Sequence, residues 1–100
     1  MSIKTRERDV EQHLVTSLGK INLPCIKFDP TNRIGMPDRI VLLPDGKVIW
    51  VELKTKGGSL EEIQKLRHAE LQRLGHPVVV LWDKDDVDNL IEGIKEELEC

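Results

Sequence analysis

VIWVELKTKGG (Val48–Gly58) begins as the apolar run of a buried β-strand, then places Glu52 and Lys54 where two more apolar residues would have fitted. What those charges face depends on the preceding turn, Pro44-Asp45-Gly46, which joins this strand to DRIVLL (38–43). Proline presets φ for the first central position of a type I turn, and Gly46 suits the left-handed position that follows. That is a three-residue hairpin loop with a bulge. It pairs Leu43 with Lys47, and counting back along both strands sets Asp38 directly opposite Glu52, with Lys54 on the same face. A two-residue Asp-Gly loop would put Asp38 and Glu52 on opposite faces. The longer loop is preferred because Pro44 would otherwise fill a paired strand position with no N–H to donate.

Carboxylates facing each other across a ladder repel, so something positive belongs between them. Lys54 alone could serve as a structural salt bridge. A divalent cation does it better: Mg²⁺ takes one or two carboxylates and keeps its other positions for water and phosphate oxygens. Lys54 beside it would then orient or activate a water for attack on a phosphodiester.

The rest of the chain supplies a frame for this hairpin. Ile3, Val10, Leu14, Val15 and Leu18 recur at helical spacing, which predicts a helix over about 4–19 capped by Gly19. LPCIKFD (23–29) reads as a short strand with Ile26 and Phe28 on one face, and PTNRIGMP (30–37) as a loop. A second helix is expected over about 60–74, opened by a Ser59/Glu62 capping box. HPVVVLW (76–82) has the pattern of a strand buried on both faces, central or parallel. A last helix carries Val87, Leu90, Ile91, Ile94 and Leu98 on one face. The order αβββαβα predicts an α/β fold with a mixed central sheet flanked by helices.

Two helical polar residues add to the site. Glu11 falls inside the apolar arc of the first helix, where a charge needs a reason. Glu7 lies on the same arc one turn earlier, at the helix start, and reads as a solvated acid. Gln64 borders the arc of Leu60, Ile63, Leu71 and Leu74, so it can look toward the sheet.

At 100 residues and 39% hydrophobic content, the chain is expected to form one domain over 1–100. Cys25 and Cys100 are too far apart in sequence for a C-x-x-C metal pair and too few for a disulfide framework, which points to a reducing compartment. No basic apolar leader is read, and no apolar run approaches the roughly 18–20 residues of a membrane span, so a soluble intracellular protein is expected. A net charge of −3 argues against a globally basic nucleic-acid coat protein, yet leaves room for a local basic rim. Arg33 and Lys56 are candidates for that rim, as DNA contacts or as solvated loop charges. His13, His68 and His76 lack zinc-like spacing. Trp50 reads as core, and Trp82, at a strand end, is given no firm role.

Pro37-Asp38, thirteen residues, then Glu52-x-Lys54 resembles the PD-(D/E)xK nuclease signature, and RIGMPDRIVLLPDGKVIWVELKTKGGSLEEIQ (33–64) is similar to the VRR-NUC domain. The resemblance runs from EQHLV (11–15) through LGHPVVVL (74–81) and implies a restriction-endonuclease-like fold. By the same resemblance, Glu11 corresponds to the helix acid, Asp38 and Glu52 to metal-binding acids, and the Leu53 carbonyl to a backbone ligand. Lys54 corresponds to the catalytic lysine and Gln64 to the helix glutamine. Minimal phage and bacterial versions of this domain resemble Holliday junction resolvases that act as homodimers. The implied activity is a Mg²⁺-dependent DNA endonuclease, with Mn²⁺ substituting, acting on branched DNA. A nickase or exonuclease without junction preference, and an idle DNA-binding domain, are the alternatives.

Overall fold

The computed structural model describes residues 6–29, 31 and 33–99. Ile3 and the predicted helix start at Lys4, Pro30 and Asn32 of the loop, and Cys100 lie outside the described residues. The elements follow the predicted order: α1 (Glu7–Lys20), β1 (Cys25–Lys27), β2 (Arg39–Leu42), β3 (Val48–Leu53), α2 (Glu62–Arg73), β4 (Val78–Leu81) and α3 (Lys84–Glu99). They form a four-stranded mixed sheet in the order β1-β2-β3-β4, antiparallel throughout except for the parallel β3–β4 pair.

Alternation along the strands gives the sheet two unlike faces. Val41, Ile49, Val51, Leu53 and Leu81 point to one side, where they form the core with Val10, Leu14 and Leu18 of α1 and Val87, Ile91 and Ile94 of α3. Each such buried Leu, Ile or Val stabilises the fold by roughly 1.5–3 kcal/mol relative to an exposed one. The other face carries Ile40, Trp50 and Glu52 in register with Ile26, Val78 and Val80, and α2 lies over it. Trp50 packs edge-on to Phe28, with ring centroids 5.3 Å apart, so it is a packing residue as read.

Four local expectations are corrected. The hairpin turn is not type I, because Asp45 as well as Gly46 has positive φ (66° and 75°). A short polar aspartate tolerates this region better than most residues, and the Leu43 N–H still donates to the Lys47 carbonyl at 2.8 Å. Gly19 does not cap α1; Asn22 takes the left-handed position (φ 59°), and the Leu23 N–H closes the end on the Leu18 carbonyl at 3.0 Å. The Ser59/Glu62 box is not used either. The α2 N-cap is Glu61, whose N–H donates to Gln64 Oε1 at 2.9 Å. Finally, β4 is parallel but lies at the sheet edge, and Val78, Val79 and Val80 are only half-buried because no strand covers their outer side. In α3, Leu98 falls past the end of the core and is 43% exposed.

The loop before β2 is braced on α2. Arg67 Nε donates to the Ile34 carbonyl at 2.9 Å, and Arg33 pairs with Glu70. Gly35 (φ 88°) sits so close that an added Cβ would meet the Ile63 carbonyl oxygen at 2.8 Å. Only glycine fits there.

Candidate active site

The β2–β3 register pairs Arg39 with Val51 through Leu42 with Val48, the register the turn arithmetic predicts, and extended by one residue it sets Asp38, just before β2, opposite Glu52. Asp38 is pinned at both strands it borders: its carbonyl accepts the Phe28 N–H at 2.9 Å, and its Oδ2 accepts the Leu53 N–H at 2.8 Å. Pro37 before it is fully buried, which fixes how the chain enters. Lys54 continues the Glu52 face, anchored through its N–H to the Leu81 carbonyl at 3.0 Å.

Glu52 is 1% exposed. Burial pushes its carboxyl up to about 8; hydrogen bonding and like charge from Asp38 push the same way, and Lys54 pulls it down. Its surroundings thus favour the protonated form of Glu52, whereas a bound cation would favour the ionised one. The donor chemistry fits a hard divalent cation: two carboxylates with charge to neutralise, and a backbone carbonyl, that of Leu53, between Glu52 and Lys54. Among the described residues no group of three His, Cys, Asp or Glu side chains converges as a ligand set. Such an ion would thus rest on the two acids, backbone and solvent.

From the α2 side, two residues one turn apart reach Glu52. Gln64 Nε2 lies 3.4 Å from Glu52 Oε2, and His68 Nε2 lies 3.2 Å from Oε1. Because Gln64 Oε1 accepts the Glu61 N–H, its amide nitrogen is the end turned toward Glu52. His68 is buried, and desolvation pushes its pKa down. The sequence reading of His68 goes no further than its lack of zinc-like spacing. The available signal was its place four residues after Gln64, on the same helical face.

Glu11 does not join this group. Arg39 Nε donates to its Oε2 at 2.7 Å, and Arg39 also donates to the Cys25 carbonyl at 2.9 Å. Consecutive strand residues point to opposite faces, so Arg39 holds Glu11 on the α1 side of the sheet, away from Asp38. Glu7 is the α1 acid whose charge is felt at the site. Desolvation raises its pKa first and Asp38 second, with Lys54 opposing, and Glu7 in turn raises that of Glu52. Glu7 is exposed, as the reading of a solvated helix-start acid has it, and the arc it shares with Glu11 carries its charge toward the site.

The two proposed rim residues are differently placed. Arg33 is engaged with Glu70 of α2, and exposed Lys56 lies 3.4 Å from Asp83. Beyond Lys54 a cavity of about 690 Å³ opens between Glu7, Thr55, Lys56 and Trp82. His13 pairs with Asp88 on the surface at 2.7 Å, and His76 is exposed.

The VRR-NUC domain family matches this chain over residues 2–82. The chain belongs to that family. It is 42% identical over 89 residues to the nuclease-named p44 protein of Acyrthosiphon pisum secondary endosymbiont phage 1, covering 89% of this chain and 95% of the phage protein. A solved structure described as a VRR_NUC domain superposes with a TM-score of 0.80 at 28% identity, covering 88% of this chain and 96% of that one. The four-stranded mixed sheet and its three helices are thus the fold of a nuclease domain family. Among the described residues, no helix is long and apolar enough to cross a membrane.

Proposed function

We propose that this chain is a divalent-metal-dependent DNA endonuclease that hydrolyses phosphodiester bonds in branched DNA, Holliday junctions among them. The observation that carries the reading is Asp38, held at the start of β2 by the Leu53 N–H beside a buried Glu52, with Lys54 two residues after Glu52, in a VRR-NUC fold. Asp38, Glu52 and the Leu53 carbonyl would hold Mg²⁺ or Mn²⁺. Once bound, such an ion polarises the scissile phosphate and offsets the charge that develops on it. Lys54 orients the attacking water or assists its deprotonation. Gln64 steadies Glu52 from α2. Glu7 takes the part of the helix acid and holds a water at the edge of the site, while Glu11 serves the fold through Arg39. Lys56 and Arg33 supply phosphate contacts, Arg33 by exchanging Glu70 for DNA.

A symmetric cut across a four-way junction needs two sites, and one chain provides one, so the acting species is a C₂ homodimer. The test is cleavage of labelled four-way junctions, flaps and linear duplex with Mg²⁺, Mn²⁺ or EDTA, alongside a solution mass. Junction cutting by a dimer is the expected result. Equal cutting of all three substrates would identify a nickase or exonuclease, and binding without cutting an idle DNA-binding domain.

A further inference from the structure

His68 and Glu52 are the two polar or charged side chains buried among the described residues, and they face each other at 3.2 Å. They come from different elements, α2 and β3, sixteen residues apart. A buried polar side chain stays buried at low cost only when it is hydrogen-bonded, and each here meets that need of the other. Leu71, three residues further along α2, shows that this helix also buries ordinary apolar residues. A histidine at position 68 therefore calls for a role that leucine would not fill.

Glu52 has several rotatable bonds, and a flexible carboxylate makes a poor ligand because its freedom must be removed when an ion binds. Two donors one helical turn apart remove it beforehand. Gln64 takes Oε2, and His68 takes Oε1. Gln64, at 3.4 Å, is the longer contact, and its amide also serves the helix cap. His68 has the shorter distance and is the more deeply buried of the two.

We infer that His68 is a positioning residue: its Nε2–H holds one oxygen of Glu52 so that the carboxylate presents its remaining lone pairs to a divalent cation shared with Asp38. The inference rests on the metal-dependent reading above and deepens it. An ionised Glu52 can only accept, so in this contact the hydrogen sits on Nε2 of His68. Partners standing behind a metal-binding group typically change affinity by about 10- to 100-fold when removed.

The test measures Mn²⁺ affinity by electron paramagnetic resonance, without DNA, for the wild type, Glu52→Gln, His68→Leu and His68→Gln. Thermal melts accompany each measurement to establish folding. Wild-type binding that Glu52→Gln removes supports the metal site itself; no wild-type binding overturns both that reading and this inference. With the site established, His68→Leu should weaken Mn²⁺ binding by about 10- to 100-fold. His68→Gln, which keeps an N–H donor, should stay close to the wild type. Unchanged affinity in folded His68→Leu overturns the inference alone. So does equal loss in both variants, because a packing role makes no distinction between a donor and none. If His68→Leu does not fold, His68→Phe keeps a ring without the donor; failure of both to fold makes His68 a core residue and also ends the inference.

Discussion

Arg39 clasps Glu11 at 2.7 Å on the α1 side of the sheet, while its neighbour Asp38 turns to the α2 side. Both partners of the pair are mostly buried, with 16% and 25% of their side chains exposed, and on the proposed reading Glu11 acts as a structural anchor. Glu11→Gln should cost about 1–3 kcal/mol of stability by weakening a charged hydrogen bond away from bulk water. Its cleavage rate below the melting transition should remain near the wild type. Glu7→Gln should show the reverse, little change in melting and a clear loss of turnover. Melting curves and single-turnover cleavage of the two variants decide this, and a larger loss of turnover in Glu11→Gln would return the helix-acid role to Glu11.

The proton held by Glu52 gives a pH dependence with a definite sign. Its folded value of about 8 lies above the ordinary 4.5, so the folded protein binds this proton more tightly than the unfolded chain. The associated stability is fully present below about 4.5 and is lost as pH rises through about 8. Metal-free wild type should therefore lose stability relative to Glu52→Gln across that window, by on the order of a few kcal/mol. Added Mg²⁺ should recover more of it at pH 8 than at pH 5, because the ion requires the ionised carboxylate. Parallel pH profiles for wild type and variant would sink this idea.

Both Glu52→Gln and Asp38→Asn should abolish cleavage, and neither should unfold the protein, since each replaces a carboxyl with an amide of the same shape and, where both acids are ionised, relieves their repulsion. Normal cleavage by either variant at saturating Mg²⁺ would show that the cation is held elsewhere.

Metal exchange offers an independent check. Mg²⁺ and Mn²⁺ should support cleavage, whereas Ca²⁺, with longer and looser coordination, should permit DNA binding with little turnover. Activity surviving EDTA would rule out this chemistry.

Lys54→Ala leaves both acids in place and removes the group that orients the water. A loss on the order of 10²- to 10⁴-fold in kcat, with DNA affinity retained, is the expected result. Weakened DNA binding with wild-type turnover of bound substrate would reduce Lys54 to a phosphate contact.

The Asp38–Glu52 pairing was legible in the sequence because a proline excludes one turn length and the period of two carries the register along both strands. The parallel β4 showed itself through its β-branched run, although its edge position did not, since strand order is set by contacts distant in sequence. The α2 start moved from Ser59 to Glu61 because the Gln64 amide offers the Glu61 N–H a partner. A helical wheel placed Glu7 and Glu11 on one arc but could not reveal Arg39, 28 residues from Glu11, which separates their roles. For His68 the spacing of four from Gln64 marked the helical face it shares, but not the Glu52 carboxylate it meets there.

Gly35 has a consequence for how this site can be inherited or rebuilt. Its contact with Ile63, with Arg67 on the Ile34 carbonyl, joins the segment that delivers Asp38 to the helix that delivers Gln64 and His68. The two form a cassette. A chimera that takes α2 from a relative while keeping the native 33–38 loop inherits a seam at a point with no space for an extra methyl group, whereas one that exchanges 33–38 and 62–73 together moves the seam into the strands, where main-chain pairing is indifferent to side-chain shape.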